Sequence, residues 1–158
     1  MLSFKMYAAA FVAMGTLYAY PHLAHADPLT VDGLVFGKAY HFGNKAACEP
    51  CNQFNPGAGI ELHKGGWFVG AAGYYDSYDK TALTAYVGYE YRLYLSGQAF
   101  VGAVLRAGYM HGSGFHGPVA LPSLEVGYGR FSVEAAFIPA VNKSTQTNLI
   151  AFWGKYSF

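Results

Sequence analysis

The sequence predicts an all-β protein, an eight-stranded antiparallel transmembrane β-barrel of the outer-membrane type. Three features carry that prediction: long segments in which apolar and mixed residues alternate, tight turns that alternate with longer connections, and an apolar face free of charge. The composition agrees. With 53% hydrophobic, 18% aromatic and only 12% charged residues, the chain is too apolar for a disordered segment. A formal charge of +1 offers no basic field, so no nucleic-acid partner is expected. The 14 Tyr and 12 Phe suit a surface that meets hydrocarbon and headgroups together.

Residues 1–26 read as a signal peptide. Lys5 supplies a positive n-region, Met6 to Tyr20 an apolar core, and Ala24-His25-Ala26 a small-x-small cleavage site. The apolar run is shorter than the roughly 20 residues of a spanning helix, and His22 and His25 follow it. Residues 27–158 then form the barrel domain, which has no run of roughly 18 apolar residues and, without Lys5, no formal net charge. A closed barrel is the other structure that satisfies every backbone polar group inside a bilayer.

The strands follow in order. Leu83, Ala85, Val87, Tyr89, Tyr91, Leu93 and Leu95 alternate with Thr84, Tyr86, Gly88, Glu90, Arg92 and Tyr94, and the segment from Ala99 to Tyr109 repeats the pattern. Such length suits a tilted membrane strand of about 9 to 11 residues. The same period marks Leu34–Phe42, Pro56–His63, Trp67–Tyr75, Thr81–Leu95, Gln98–Tyr109, Val119–Tyr128, Phe131–Ile138 and Asn148–Phe158. Lys64-Gly65-Gly66, Ser96-Gly97 and Gly129-Arg130 are tight turns; Gly43–Asn55, Asp76–Lys80, Met110–Gly117 and Pro139–Thr147 are longer loops. That alternation predicts a bacterial outer-membrane location with both termini on the periplasmic side.

Glu61, Glu90, Arg92, Arg106, Glu125 and Glu134 all take the inward parity, which a dry soluble barrel would not bury. An eight-stranded lumen holds side chains or one small ligand, so a diffusion pore is not expected. Strand directions send Glu61, His63, Glu90, Arg92 and Glu134 toward the short turns as a paired-charge plug. Gly57, Gly59, Tyr86, Ala136 and Ile138 go toward the loops, either as an apolar slot for an acyl chain or as close packing of small residues. Arg106 departs from this division, high in the lumen.

Two segments carry a resemblance. Tyr75-Asp76-Ser77-Tyr78-Asp79-Lys80, leading into Ala85-Tyr86-Val87-Gly88-Tyr89-Glu90, and Leu121-Pro122-Ser123-Leu124-Glu125-Val126-Gly127-Tyr128-Gly129, followed by Phe137-Ile138-Pro139, resemble the outer-membrane lipid A palmitoyltransferases, the PagP family. Cys51 to Leu62 is a weaker match to that family's second strand. In the family, a His at the outer end of the first strand and an Asp-Ser pair in the next outer loop are required for acyl transfer. The matching positions are His41, Asp76 and Ser77. The resemblance also implies an acyl pocket floored at Gly88, with Tyr86 beside it, and a lateral opening flanked by Pro122 and Pro139. Read from the residues alone, Asp-Ser is also a common turn signal and a proline also a common strand end. The family carries an amphipathic helix before its first strand, whereas here only Asp27 to about Asp32 precedes it.

Cys48 and Cys51 flank Glu-Pro in the first outer loop, and in an exported chain an oxidised pair is expected. Zinc on these cysteines with His111 or His116 lacks anything that would fix the spacing, so neither metal nor cofactor is expected. The resemblance implies a lipid A acyltransferase with a phospholipid as donor and lipid A as acceptor. Its aromatic-terminated last strand resembles the signal read by the outer-membrane assembly machinery. Two other functions fit the same fold: a non-catalytic barrel that stabilises the membrane or displays loops, and a lipid A ester hydrolase using the same residues with water.

Overall fold

The computed structural model describes residues 28–42, 51–112, 115–139 and 148–158; the expected signal peptide and Cys48 lie outside them. The strands are β1 (Leu29–Phe42), β2 (Phe54–Lys64), β3 (Trp67–Tyr75), β4 (Thr81–Ser96), β5 (Ala99–Gly112), β6 (Phe115–Tyr128), β7 (Phe131–Ile138) and β8 (Asn148–Ser157). Each pairs antiparallel with the next, and β1 pairs with β8 from Asp32↔Ser157 to Phe42↔Asn148, closing an eight-stranded barrel. The all-β class expected from the alternation is the class observed.

The period of two sorts the wall. Val35, Val69, Leu83, Val87, Leu93, Val126 and Val133 stand exposed on the outside. Trp67, Tyr89, Tyr91, Tyr128 and Phe131 ring the short-turn end of that surface, and Tyr40, Phe42, Phe54, Tyr75 and Phe137 ring the loop end. Each large apolar side chain left in water forgoes about 1.5–3 kcal/mol. An aliphatic belt between two aromatic girdles is stable against hydrocarbon, which makes this an outer-membrane-type barrel.

Parity changes once on β1. Asp32, Leu34 and Phe36 point inward; then the register shifts between Phe36 and Lys38 on both flanking ladders, and Ala39 and His41 are the buried residues. Against β8, Gly37 is the extra residue of a β-bulge, whereas against β2 the surplus residue lies on β2, between Phe54 and Gly57. Without Gly37, His41 would face outward.

The largest departures from the expected boundaries fall at two places. β1 begins at Leu29 rather than Leu34, because Asp32, which breaks the apolar pattern, points into a charged lumen. The segment from Met110 to Gly117, expected as a loop, is mostly ladder, reaching His111↔His116 and Gly112↔Phe115. Its glycines and Pro118 read as loop punctuation, yet the β5–β6 ladder runs unbroken past Pro118, which faces Tyr109. The tight turns hold as expected, with Gly97 (φ 57°) and Gly129 (φ 60°) in the left-handed region that favours glycine. At mid-height the lumen is closed by Leu34, Phe68, Tyr86, Val104, Ala136 and Trp153, packed on one another.

Candidate functional site

The loop end gathers the residues that can do chemistry. β1, re-aimed by its bulge, delivers His41, and the turn from Asp76 to Lys80 between β3 and β4 delivers Ser77; His41 Nε2 lies 2.7 Å from Ser77 Oγ. β3 has ended at Tyr75, so Asp76 and Ser77 escape the strand rule that sends neighbours to opposite faces. Asp76 is buried and organises the turn: its Oδ1 accepts the N–H of Tyr78 (2.8 Å) and of Lys80 (2.9 Å). Asp79 takes a left-handed conformation at φ 59°, which Asp tolerates better than most residues. His41 and Ser77 are therefore in direct contact, while Asp76 joins them through the turn it holds.

Asn52 fastens this turn from the other side. Its backbone N–H donates to Ser77 O (3.1 Å), its Nδ2 donates to Asp79 Oδ1 (2.9 Å), and its Oδ1 accepts the N–H of Phe54 (3.0 Å). Cys51, one residue earlier, is disulfide-bonded, and Cys48 lies outside the described residues. An oxidised Cys51 has no thiolate for zinc; His111 and His116 are cross-strand neighbours on the exposed face, with ring centroids 6.3 Å apart. Asp76 Oδ2 and Asn55 Oδ1 are buried at this end without a hydrogen-bond donor among the described residues.

Below the site the lumen narrows in two stages. Ala39, Ala72, Ala82 and Ala136 are buried small residues in the loop-end half, with the rings of Phe36 and Tyr74 5.3 Å apart among them. The short-turn half is filled by an ionic network. Arg106 donates to Glu61 (Nε, 2.9 Å), to both oxygens of Glu134 (2.7 and 2.9 Å) and to Ser123 Oγ (3.2 Å). Its guanidinium also lies within 5.2–5.6 Å of the Phe68, Trp153 and Tyr86 ring centroids. Arg92 grips Glu125 with two hydrogen bonds (3.0 and 3.1 Å), and Lys155 bridges Glu90, Glu125 and Glu134.

Three expectations about the lumen are corrected here. Arg106 is no exception high in the lumen; opposite Gly88 and Leu121, it caps the charged plug. Tyr86, expected to line an apolar slot, donates its hydroxyl to Glu61 Oε1 (2.9 Å) and belongs to the plug. Gly88 faces inward, but the ring of Phe68 already fills the space a side chain there would take, so the lumen beside it is packed rather than open. Glu61, Glu90, Arg92, Glu125 and Glu134 lie in the plug as their parity indicated.

The wall beside the plug has a short seam. β6 and β7 pair from Tyr128↔Phe131 to Leu124↔Ala135 and no further, although β6 continues to Phe115 and β7 to Ile138. Pro122 stands two residues beyond the last pair, and Pro139 directly follows β7. The ladder to β5 runs unbroken past Pro122, so the donor that this proline lacks is missing on the β7 side.

Sequence reasoning passed over Asp32, Asn52, Asn55 and Lys155. Asp32 and Lys155 could have been found by following inward parity one turn further along β1 and β8. Asn52 carried a signal too, since an Asn two residues before a strand start is a common Asx-turn former.

No family model matches the chain, and no curated protein matches it. Among solved structures it is similar to the N-terminal β-barrel domain of Pseudomonas aeruginosa OprF, at 13% identity over 85% of this chain and 100% of that one, with a TM-score of 0.43. The barrel described above rests on its own closed ladder.

Proposed function

We propose that the protein is a bacterial outer-membrane enzyme that transfers an acyl chain from a phospholipid to lipid A, with the reaction at the loop end of the barrel. The observation that carries this reading is the His41–Ser77 hydrogen bond, set above a lumen whose upper half is lined by small apolar side chains. In such a reaction the acceptor hydroxyl gives its proton to an imidazole nitrogen of His41 as its oxygen attacks the ester carbonyl. The ester C–O bond to the phospholipid then breaks, and the imidazolium returns the proton to the departing glycerol oxygen, leaving a lysophospholipid. Ser77, in contact with Nε2, orients the imidazole or forms the acyl intermediate itself. Asp76 acts by holding the turn that presents Ser77. The seam at Pro122 gives an acyl chain a lateral route from the bilayer, and the aromatic-ended β8 suits recognition by the assembly machinery.

A second reading is favoured by a different observation. The plug is packed, ion-paired and centred on buried rings, which is what a non-catalytic membrane-stabilising barrel requires. Ester hydrolysis is the variant of the first reading with water as acceptor. Mass spectrometry of lipid A from cells with and without the protein separates the three. A lipid A species heavier by one acyl chain supports transfer, one lighter by an acyl chain supports hydrolysis, and an unchanged profile supports the non-catalytic barrel.

A further inference from the structure

The bulge that turns His41 inward also turns a charge outward. Alternation counted straight along β1 would send Lys38 into the lumen with Asp32, Leu34 and Phe36; past the register shift it stands exposed on the outside, between Phe54 of β2 and Phe152 of β8. The outward face is therefore not free of charge, as alternation alone indicated. Among the described residues, Lys38 is the one charged side chain that a strand carries on that face away from its ends; Lys64 closes β2, and Lys80 and Arg130 lie outside the strands.

A charge on the lipid face is costly at the bilayer midplane and tolerated near the headgroups. Lys38 lies four residues short of the loop end of β1, and its Nζ stands over the Tyr40 ring, 4.7 Å from the centroid, so the side chain runs toward the outer interface along the aromatic girdle. No described carboxylate pairs with it; Asp32, Glu61, Glu90, Glu125 and Glu134 are held inside the lumen by His63, Arg92, Arg106 and Lys155. Toward the membrane interior the same wall is hollow. Val35, Gly154 and Val133 are in register across β1, β8 and β7, and nothing stands within 4 Å of where a side chain at Gly154 would begin. The apolar groove that these residues share with Val126 and Tyr156 encloses about 610 Å³.

We propose that this strip of the outer wall binds one anionic glycerophospholipid, with its phosphate on Lys38 and an acyl chain laid along the groove at Gly154. A cation at headgroup depth with an apolar groove below it matches the two ends of such a molecule, and a free phosphate would use only the first. A phosphodiester carrying one negative charge is matched by a single lysine. A headgroup with its own amine would set a second cation beside Lys38, so an anionic headgroup is favoured over a zwitterionic one. The site is on the outside of the wall, and it holds for a catalytic and a non-catalytic barrel alike.

The test is native mass spectrometry of the refolded barrel in detergent with added dipalmitoyl phosphatidylglycerol or dipalmitoyl phosphatidylcholine. The wild type should retain one phosphatidylglycerol about fivefold more than phosphatidylcholine. Lys38→Gln should lose that preference, and Lys64→Gln, at the other exposed lysine of the barrel wall, should keep it. Gly154→Leu fills the groove without touching the charge and should lower retention of the lipid. The heat-induced gel-mobility shift shows that each variant is folded. No preference in the wild type overturns the proposal, as does a preference that survives Lys38→Gln or retention unchanged in Gly154→Leu. Lipid A retained through Lys38 in place of phosphatidylglycerol overturns the choice of ligand. Displacement of the lipid by inorganic phosphate, beyond that by chloride at the same ionic strength, marks a free-anion site and overturns it too.

Discussion

His41 Nε2 meets Ser77 Oγ at 2.7 Å across 36 residues of sequence, and the contact exists because Gly37, one residue extra against β8, turns the end of β1 inward. Three local devices converge on it: the bulge, the Asp76 turn, and the Asn52 clamp beside an oxidised Cys51. None contributes much to the packed core, so the site can be altered without unfolding the barrel.

The bulge is directly testable. Deleting Gly37 should restore straight alternation and turn His41 toward the outside, leaving a heat-modifiable barrel that has lost its loop-end chemistry. Reactivity of His41 with a water-soluble acylating reagent such as diethyl pyrocarbonate should change on deletion, and an unaltered pattern would contradict the bulge.

Asp76 and Ser77 should separate by their roles. Asp76→Ala removes the acceptor of two backbone N–H groups and should loosen the turn by about 1–2 kcal/mol, whereas Ser77→Ala should leave the turn intact. Hydrogen exchange at the Tyr78 and Lys80 amides reads this: protection lost in the first variant and kept in the second.

The plug predicts large, asymmetric effects. Glu134→Ala would leave Arg106 partly unpaired in a buried site and should cost about 3–5 kcal/mol, while Arg130→Ala, on the exposed short turn, should cost little. Urea unfolding of the refolded barrel measures both, and equal effects would argue against a structural plug.

Gly88→Met should collide with the Phe68 ring and destabilise the barrel, and Phe68→Ala in the same chain should recover part of the loss. Urea midpoints of the single and double variants check this. A fully tolerated Gly88→Met would mean that open space exists there after all.

How much of this was legible depended on the kind of signal. Strand period, turn glycines and inward charges are local, and β3, β4 and β7 sit where alternation put them because their apolar and mixed faces never exchange. The bulge at Gly37 was not legible, since a glycine in an alternating run does not announce an inserted residue. Tyr86 misled because its ring is apolar while its hydroxyl finds Glu61. Gly88 misled because a small inward residue marks either a cavity or a neighbour large enough to fill it, and here Phe68 comes from β3. His41, Asp76 and Ser77 came from resemblance; that His41 and Ser77 touch became visible only in three dimensions.

The most direct test of the account uses purified protein in mixed micelles with phospholipid radiolabelled in one acyl chain and unlabelled lipid A. The wild type should move label onto lipid A and release lysophospholipid, and His41→Ala, folded by its heat-induced mobility shift, should be slower by about 10²- to 10⁴-fold. Label that never reaches lipid A with the wild type, or that reaches it equally fast with His41→Ala, would contradict the central claim.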